Sequence, residues 1–141
     1  MNRRDYLQKI LIGGSVLFLA PSVLQSCSKA DDEDPGVGIK PGNTLEIDLA
    51  LAENAALNSP GGTRFTQGIM IANAGTFFFA VSSTCTHEGC TVGYNATAGK
   101  VQCPCHFSEY STNGNVLLGP ATRALQSFTV VKTGNILKIT V

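Results

Sequence analysis

From Thr44 to Leu51 the chain alternates. Leu45, Ile47, Leu49 and Leu51 are apolar, with mostly polar or small residues between them, which is the two-residue period of a half-buried strand. Two apolar runs, Gly68 to Ala72 and Thr76 to Ser82, flank Asn73-Ala74-Gly75, a turn signal that predicts a hairpin. The second run contains Phe77, Phe78 and Phe79, and aromatic residues in a strand pattern point to β core rather than to a binding surface. Thr91 to Tyr94 and Lys100 to Gln102 flank a further turn, and Gln126 to Lys132 and Ile136 to Val141 flank Thr133-Gly134-Asn135, a closing hairpin. Six or more short strands with no long helical period predict an all-β fold, a small antiparallel β sandwich or barrel. Residues 44–141, about one hundred in all, are one domain's worth of chain.

The pattern differs before residue 44. Asn2 to Gln8 is basic through Arg3 and Arg4, and Ile10 to Leu24 is mostly apolar. That run falls short of the roughly twenty residues a membrane span needs but suits the apolar core of a signal peptide. Leu24-Gln25-Ser26-Cys27 resembles a bacterial lipobox, so residues 1–26 are expected to be a lipoprotein signal peptide, with Cys27 lipidated as the first mature residue. Arg3-Arg4 with Tyr6-Leu7 resembles the twin-arginine export motif, departing from it at Asn2, Tyr6 and Gln8; an ordinary basic leader is the other reading. Either route delivers the chain to an oxidising compartment, as a membrane-anchored lipoprotein on the periplasmic or outer side. Residues 27–43, with the acidic run Asp31 to Asp34 followed by glycines and prolines, are expected to be a flexible tether.

Charge narrows the class of partner. The ten basic and ten acidic residues balance, and without residues 1–26 seven basic and nine acidic remain, a formal charge of −2. Nothing in that balance suggests nucleic-acid binding.

The candidate chemistry is concentrated in two boxes, Cys85-Thr86-His87-Glu88-Gly89-Cys90 and Cys103-Pro104-Cys105-His106-Phe107-Ser108, which hold both histidines and four of the five cysteines. Thiolates and imidazoles are the ligands of iron, zinc and copper, so their concentration points to one metal site. Each box supplies a cysteine closely followed by a histidine, Cys85 with His87 and Cys103 with His106, and each has one cysteine to spare. A Rieske centre needs two thiolates on one iron and two imidazoles on the other, which one pair from each box provides. A zinc site of two cysteines and two histidines, a cluster held by four cysteines, and two plain disulfides are the alternatives. The first conflicts with the usual zinc spacings, and the second leaves both histidines unexplained. Zinc and disulfides are colourless, so a spectrum separates them from iron.

The order C-T-H-x-G-C followed by C-P-C-H-x-S resembles the Rieske iron–sulfur proteins, in the disulfide-containing branch found in quinol-oxidising cytochrome bc complexes and in arsenite oxidase small subunits. The resemblance runs from about Ile69 to the C-terminus. It implies a Rieske-type fold with cluster-binding loops at one end and one 2Fe-2S cluster, with Cys85 and Cys103 on the inner iron and His87 and His106 on the outer. It also implies a disulfide between Cys90 and Cys105, and hydroxyl hydrogen bonds from Ser108 to a bridging sulfide and from Tyr110 to a ligand sulfur. At ~1 to 2 kcal/mol each, such bonds raise a one-electron potential by roughly 40 to 90 mV apiece. Gly114-Asn115-Val116-Leu117-Leu118-Gly119-Pro120-Ala121 resembles the family's third loop, which covers the cluster.

The function implied is one-electron transfer as a subunit of a quinol:cytochrome c oxidoreductase-type complex, with that complex and cytochrome c as partners and a lipid anchor to the membrane. Two residues depart from the quinol-oxidising pattern: Glu88 stands where an apolar residue is usual, and Phe107 where glycine is usual. They motivate two alternatives, the small subunit of an arsenite oxidase-like molybdenum oxidoreductase and a free-standing periplasmic carrier. In none of the three does this polypeptide alone convert a substrate.

Overall fold

The computed structural model describes Gly38 and residues 40–141. The expected signal peptide, the lipidation site Cys27 and most of the expected tether lie outside the described residues. Ten strands follow in order: β1 (Thr44–Asp48), β2 (Thr63–Thr66), β3 (Ile69–Asn73), β4 (Phe78–Ser82), β5 (Gly93–Asn95), β6 (Lys100–Gln102), β7 (Glu109–Tyr110), β8 (Val116–Leu118), β9 (Ser127–Thr133) and β10 (Ile136–Thr140). They form a six-stranded sheet in the order β1-β10-β9-β4-β3-β2 and a four-stranded sheet in the order β5-β6-β7-β8, antiparallel throughout. No helix among the described residues is long and apolar enough to cross a membrane.

The sequence of β3 explains the layering. Ile69-Met70-Ile71-Ala72 is continuously apolar, as a strand covered on both faces must be. Ile69 and Ile71 pack with Leu57, Ala80, Leu137 and Ile139 in one core. Met70 and Ala72 point the other way, into a second core with Phe79, Val81, Val101 and Tyr110 that also contains Cys85 and Cys103. β3 and β4 are thus the shared wall of two cores, and the candidate cysteines belong to the second. Each apolar side chain buried here contributes roughly 1.5–3 kcal/mol.

The closing hairpin forms as expected, with Gly134 at φ 59 between Thr133 and Ile136. Asn73 Oδ1 accepts from the Gly75 N–H at 2.7 Å, the side-chain turn that an Asn-x-Gly sequence offers. Three strands are additional to the expected ones. β2 joins β3 through a two-residue turn with Gln67 at φ 50 and Gly68 at φ 77, and the short β7 and β8 extend the small sheet. A 3-10 helix at Ala52–Asn58 follows directly on the stretch that alternates from Thr44 to Leu51. Its Leu57 is buried, and the Asn54 and Asn58 side chains donate to the carbonyls of Asp48 and Leu49 at 2.8 and 3.0 Å.

Residues of the stretch expected to be tether bond to the body of the domain. The Gly38 N–H donates to the Gln67 carbonyl at 2.9 Å, and the Gly42 N–H donates to that of Val141 at 2.9 Å. This segment therefore bonds both to the β2–β3 turn and to the end of β10.

Gly114 ties the turn after β7 to the third loop. Its φ is 84, a Cβ there would overlap the Leu125 carbonyl, and the Leu125 N–H donates to the Gly114 carbonyl at 2.9 Å. Gly114→Ala combines a left-handed conformation with that overlap, so it is expected to destabilise the domain by about 2 kcal/mol or more, read as a lowered urea midpoint.

Candidate metal centre

The two boxes are twin hairpin loops. Thr84 and Thr91 pair across the neck of the first, and Gln102 and Glu109 across the neck of the second. Within the first, the Cys85 N–H donates to the Cys90 carbonyl at 2.8 Å and the Gly89 N–H to the Cys85 carbonyl at 2.9 Å. Within the second, the Cys103 N–H donates to the Ser108 carbonyl at 2.9 Å and the Phe107 N–H to the Cys103 carbonyl at 3.0 Å. The fifth residue of each loop is left-handed, Gly89 at φ 77 and Phe107 at φ 60. Glycine accepts that conformation freely; for phenylalanine it costs roughly 1–2 kcal/mol.

This backbone aims donors at sulfur. Cys85 and Cys103 are the free thiols among the described residues, each 2% exposed. Burial pushes the Cys85 thiol up, but hydrogen bonds from the Tyr110 hydroxyl, the His87 N–H, the Cys103 thiol and the Glu88 N–H outweigh it and hold it below its ordinary value. Cys103 is shifted up by burial and by the neighbouring Cys85, against the opposing N–H groups of Cys105 and His106. In both loops, then, the second and third residues after the first cysteine point backbone N–H groups at its sulfur, which favours the deprotonated form a metal requires.

The imidazoles sit at the surface. His87 and His106 are exposed, with ring centroids 4.9 Å apart and planes at 85°. Glu88 Oε2 lies 3.5 Å from His106 Nδ1, and the potential ligand atoms of His87, Glu88 and His106 all lie within 4.8 Å of one another. Cys90 and Cys105 form a disulfide spanning a sequence separation of 15, with Cα atoms 6.5 Å apart. It joins the end of one box to the middle of the other, beside Cys103.

Two hydroxyl residues complete the floor. Tyr110 is fully buried, its hydroxyl 3.2 Å from Cys85 Sγ and 3.1 Å from Thr86 Oγ1, and burial pushes its phenol up. Ser108 is also buried, and its Oγ accepts the Ala121 N–H at 3.0 Å, which leaves its own proton to donate. Thr86 Oγ1 donates to the Arg123 carbonyl at 2.7 Å. The third loop is therefore bonded to the second box through Ser108, and the chain just beyond it to the first box through Thr86.

Residues 49–129 match the Rieske [2Fe-2S] domain. The chain belongs to the Rieske family. The cytochrome b6-f complex iron-sulfur subunit of Chlorobaculum tepidum is 32% identical over 133 residues, covering 91% of this chain and 69% of its own. The cytochrome b6-f complex iron-sulfur subunit 2 of Nicotiana tabacum is 31% identical over 138 residues, covering 89% of this chain, which spans 60% of the tobacco protein's length. Among solved structures, the plasma membrane Rieske protein PetC3 of Synechocystis PCC 6803 superposes with a TM-score of 0.55 at 29% identity, over 69% of this chain and 99% of its own. The ferredoxin of carbazole 1,9a-dioxygenase from Nocardioides aromaticivorans has a TM-score of 0.56 at 19% identity, over 67% of this chain and 96% of its own, which shows a shared fold.

The cofactor of this Rieske domain is one 2Fe-2S cluster, and the donor set fits it. The same two loops carry two buried thiols with N–H groups aimed at their sulfurs and two accessible imidazoles, and Ser108 has a hydroxyl proton to give. The disulfide is present as the resemblance implied. Of the residues expected in and just beyond the boxes, the structure brings Cys103 beside the Cys90–Cys105 disulfide, the Tyr110 hydroxyl to Cys85 Sγ, and the rings of His87 and His106 to each other, with Ser108 buried at the end of the second box. Sequence reasoning overlooked Thr86, whose hydroxyl donates to the Arg123 carbonyl just beyond the third loop and lies 3.1 Å from the Tyr110 hydroxyl. Its signal was present as the threonine inside the first box, but a threonine next to a ligand says nothing until its partners 24 and 37 residues away are known.

Proposed function

We propose that this chain is the one-electron subunit of a quinol-oxidising complex of the cytochrome bc or b6-f kind, passing electrons from quinol to a c-type cytochrome. The observation that carries this reading is the division of the site: sulfur ligands in the dry core, imidazoles at the surface, and a disulfide joining the loops that bear them. The curated relatives are named as cytochrome b6-f subunits, which supports the same assignment. Cys85 and Cys103 would hold one iron from the buried side, and His87 and His106 the other from the surface. The bound cluster supplies a site that gains and loses a single electron.

The chain's own residues do the rest. Tyr110 and Ser108 place hydroxyl protons where negative charge increases on reduction, which raises the potential. A quinol yields two electrons and two protons; this chain accepts one electron, and a cytochrome of the complex takes the other. Export under the signal of residues 1–26 and lipidation at Cys27 would place the head at the outer side of a membrane, in an oxidising compartment where the disulfide persists.

Tyr110→Phe is expected to lower the midpoint potential by roughly 40 to 90 mV, the equivalent of a hydrogen bond worth ~1 to 2 kcal/mol. Redox titration of the purified protein measures it, and an unchanged potential removes the tuning role. Co-purification from native membranes tests the complex: a b-type cytochrome supports it. A molybdopterin subunit would instead support the arsenite oxidase-like reading, which Glu88 and the left-handed Phe107 motivate.

A further inference from the structure

Three sulfur atoms meet where the two boxes join. Cys103 Sγ lies within 4.8 Å of both Cys90 Sγ and Cys105 Sγ, the two halves of the disulfide, while Cys103 itself is a free thiol, 2% exposed. A thiolate beside a disulfide is a reactant beside its substrate. Exchange proceeds by attack of the sulfur anion on one bridge sulfur while the other leaves. Fixed proximity replaces the encounter that a dissolved thiol would need, which gives an internal thiol a large kinetic advantage. Burial adds selectivity, because it shields Cys103 from dissolved thiols and oxidants and leaves the bridge within its reach.

We infer that Cys103 is an internal attacking thiol, and that iron bound to it is what keeps the Cys90–Cys105 bridge in place. This rests on the reading of Cys103 as an iron ligand, since a sulfur whose electron pair is engaged by iron does not attack. Once iron is lost, the Cys103 thiolate attacks Cys90 Sγ. A Cys90–Cys103 bond forms, the Cys90–Cys105 bond breaks, and Cys105 leaves as the thiolate. One disulfide and one thiolate stand on each side of this step, so no oxidant or reductant is needed. Cys90 is the target because Pro104 alone separates Cys103 from Cys105, and a bond between those two would close a ring too short for relaxed disulfide geometry. The products favour the step as well. Cys105 is exposed, so water solvates the new thiolate, and the uncharged bond takes the place of a sulfur anion in the dry core. The rearranged chain lacks a ligand, and it stays without one until an external thiol resets the bridge.

The test uses the purified full-length chain carrying its cluster. Brief acidification under argon with a chelator removes iron and sulfide while the thiols stay protonated, and return to neutral pH starts the reaction. Samples taken over hours, the range of uncatalysed disulfide rearrangement, are quenched with mildly acidic N-ethylmaleimide and their bridges mapped by peptide mass spectrometry. A Cys90–Cys103 bond, with Cys85 and Cys105 alkylated, should replace Cys90–Cys105 about tenfold faster or more in the stripped chain than in the loaded one. His106→Ala, expected to lack the cluster without any acid step, should carry the same rearranged bond and decides the matter if acid unfolds the stripped chain. Retention of Cys90–Cys105 in both overturns the inference, as does a new bond to Cys85 in place of Cys103. Equal rearrangement in the loaded chain overturns the guarding role of iron, and with it the reading of Cys103 as a ligand. A wild-type chain that purifies without iron fails the cluster reading by itself. Its own bridges then decide the exchange: Cys90–Cys103 supports it, and Cys90–Cys105 beside a free Cys103 overturns it.

Discussion

Cys85→Ser, Cys103→Ser, His87→Ala and His106→Ala are each expected to abolish the visible and EPR signature of the cluster. The reasons differ between the two pairs. Cys85 and Cys103 are 2% exposed and receive backbone N–H groups arranged around a sulfur anion. A serine hydroxyl there stays protonated at neutral pH and provides no thiolate. The histidines are exposed, so their loss admits water to one side of the site while both thiolates remain. Absorption and EPR spectra with iron analysis of each purified variant decide the matter. A His87→Ala protein with the wild-type spectrum would sink the ligand assignment, and a colourless wild type rich in zinc would sink the cofactor.

Removing the disulfide by replacing Cys90 and Cys105 with alanine is the second large effect. For the observed sequence separation of 15, the loop-entropy relation gives about 3 kcal/mol. That is roughly a hundredfold in the folding equilibrium. The disulfide also links loops that otherwise meet through the floor residues and the third loop. The variant is therefore expected to unfold at lower urea and to lose its cluster while wild type keeps it. Paired urea titrations followed at the cluster absorbance and by circular dichroism measure both effects. Coincident curves for variant and wild type would mean that the hydrogen bonds through Thr86 and Ser108 already hold the loops together.

The site was more legible in the sequence than the scaffold around it. Ligand chemistry lies in residue type and short spacing, so six residues within 22 positions disclosed the boxes. β3 and β4 were visible because buried strands are apolar throughout. β2, β7 and β8 were not: they are four residues or fewer, and pairing with neighbours rather than local pattern defines them. The 3-10 helix was hidden for a related reason, since Asn54 and Asn58 fix it through carbonyls of the preceding strand region and it has no helical period of its own. Phe107 was legible as a departure from the family pattern. Its left-handed backbone was not, because that depends on the hydrogen bond closing the loop.

The docked entry segment sets a limit on range. An anchor at Cys27 leaves eleven residue steps to Gly38, where the chain is already bonded to the β2–β3 turn. At about 3.6 Å per residue no conformation carries Gly38 further than roughly 40 Å from the lipid. Had the chain first met the domain at Thr44, the limit would be near 60 Å. If Cys27 is lipidated as proposed, the point at which the chain enters the head would thus stay within a shell about a third thinner than a tether reaching to Thr44 would allow.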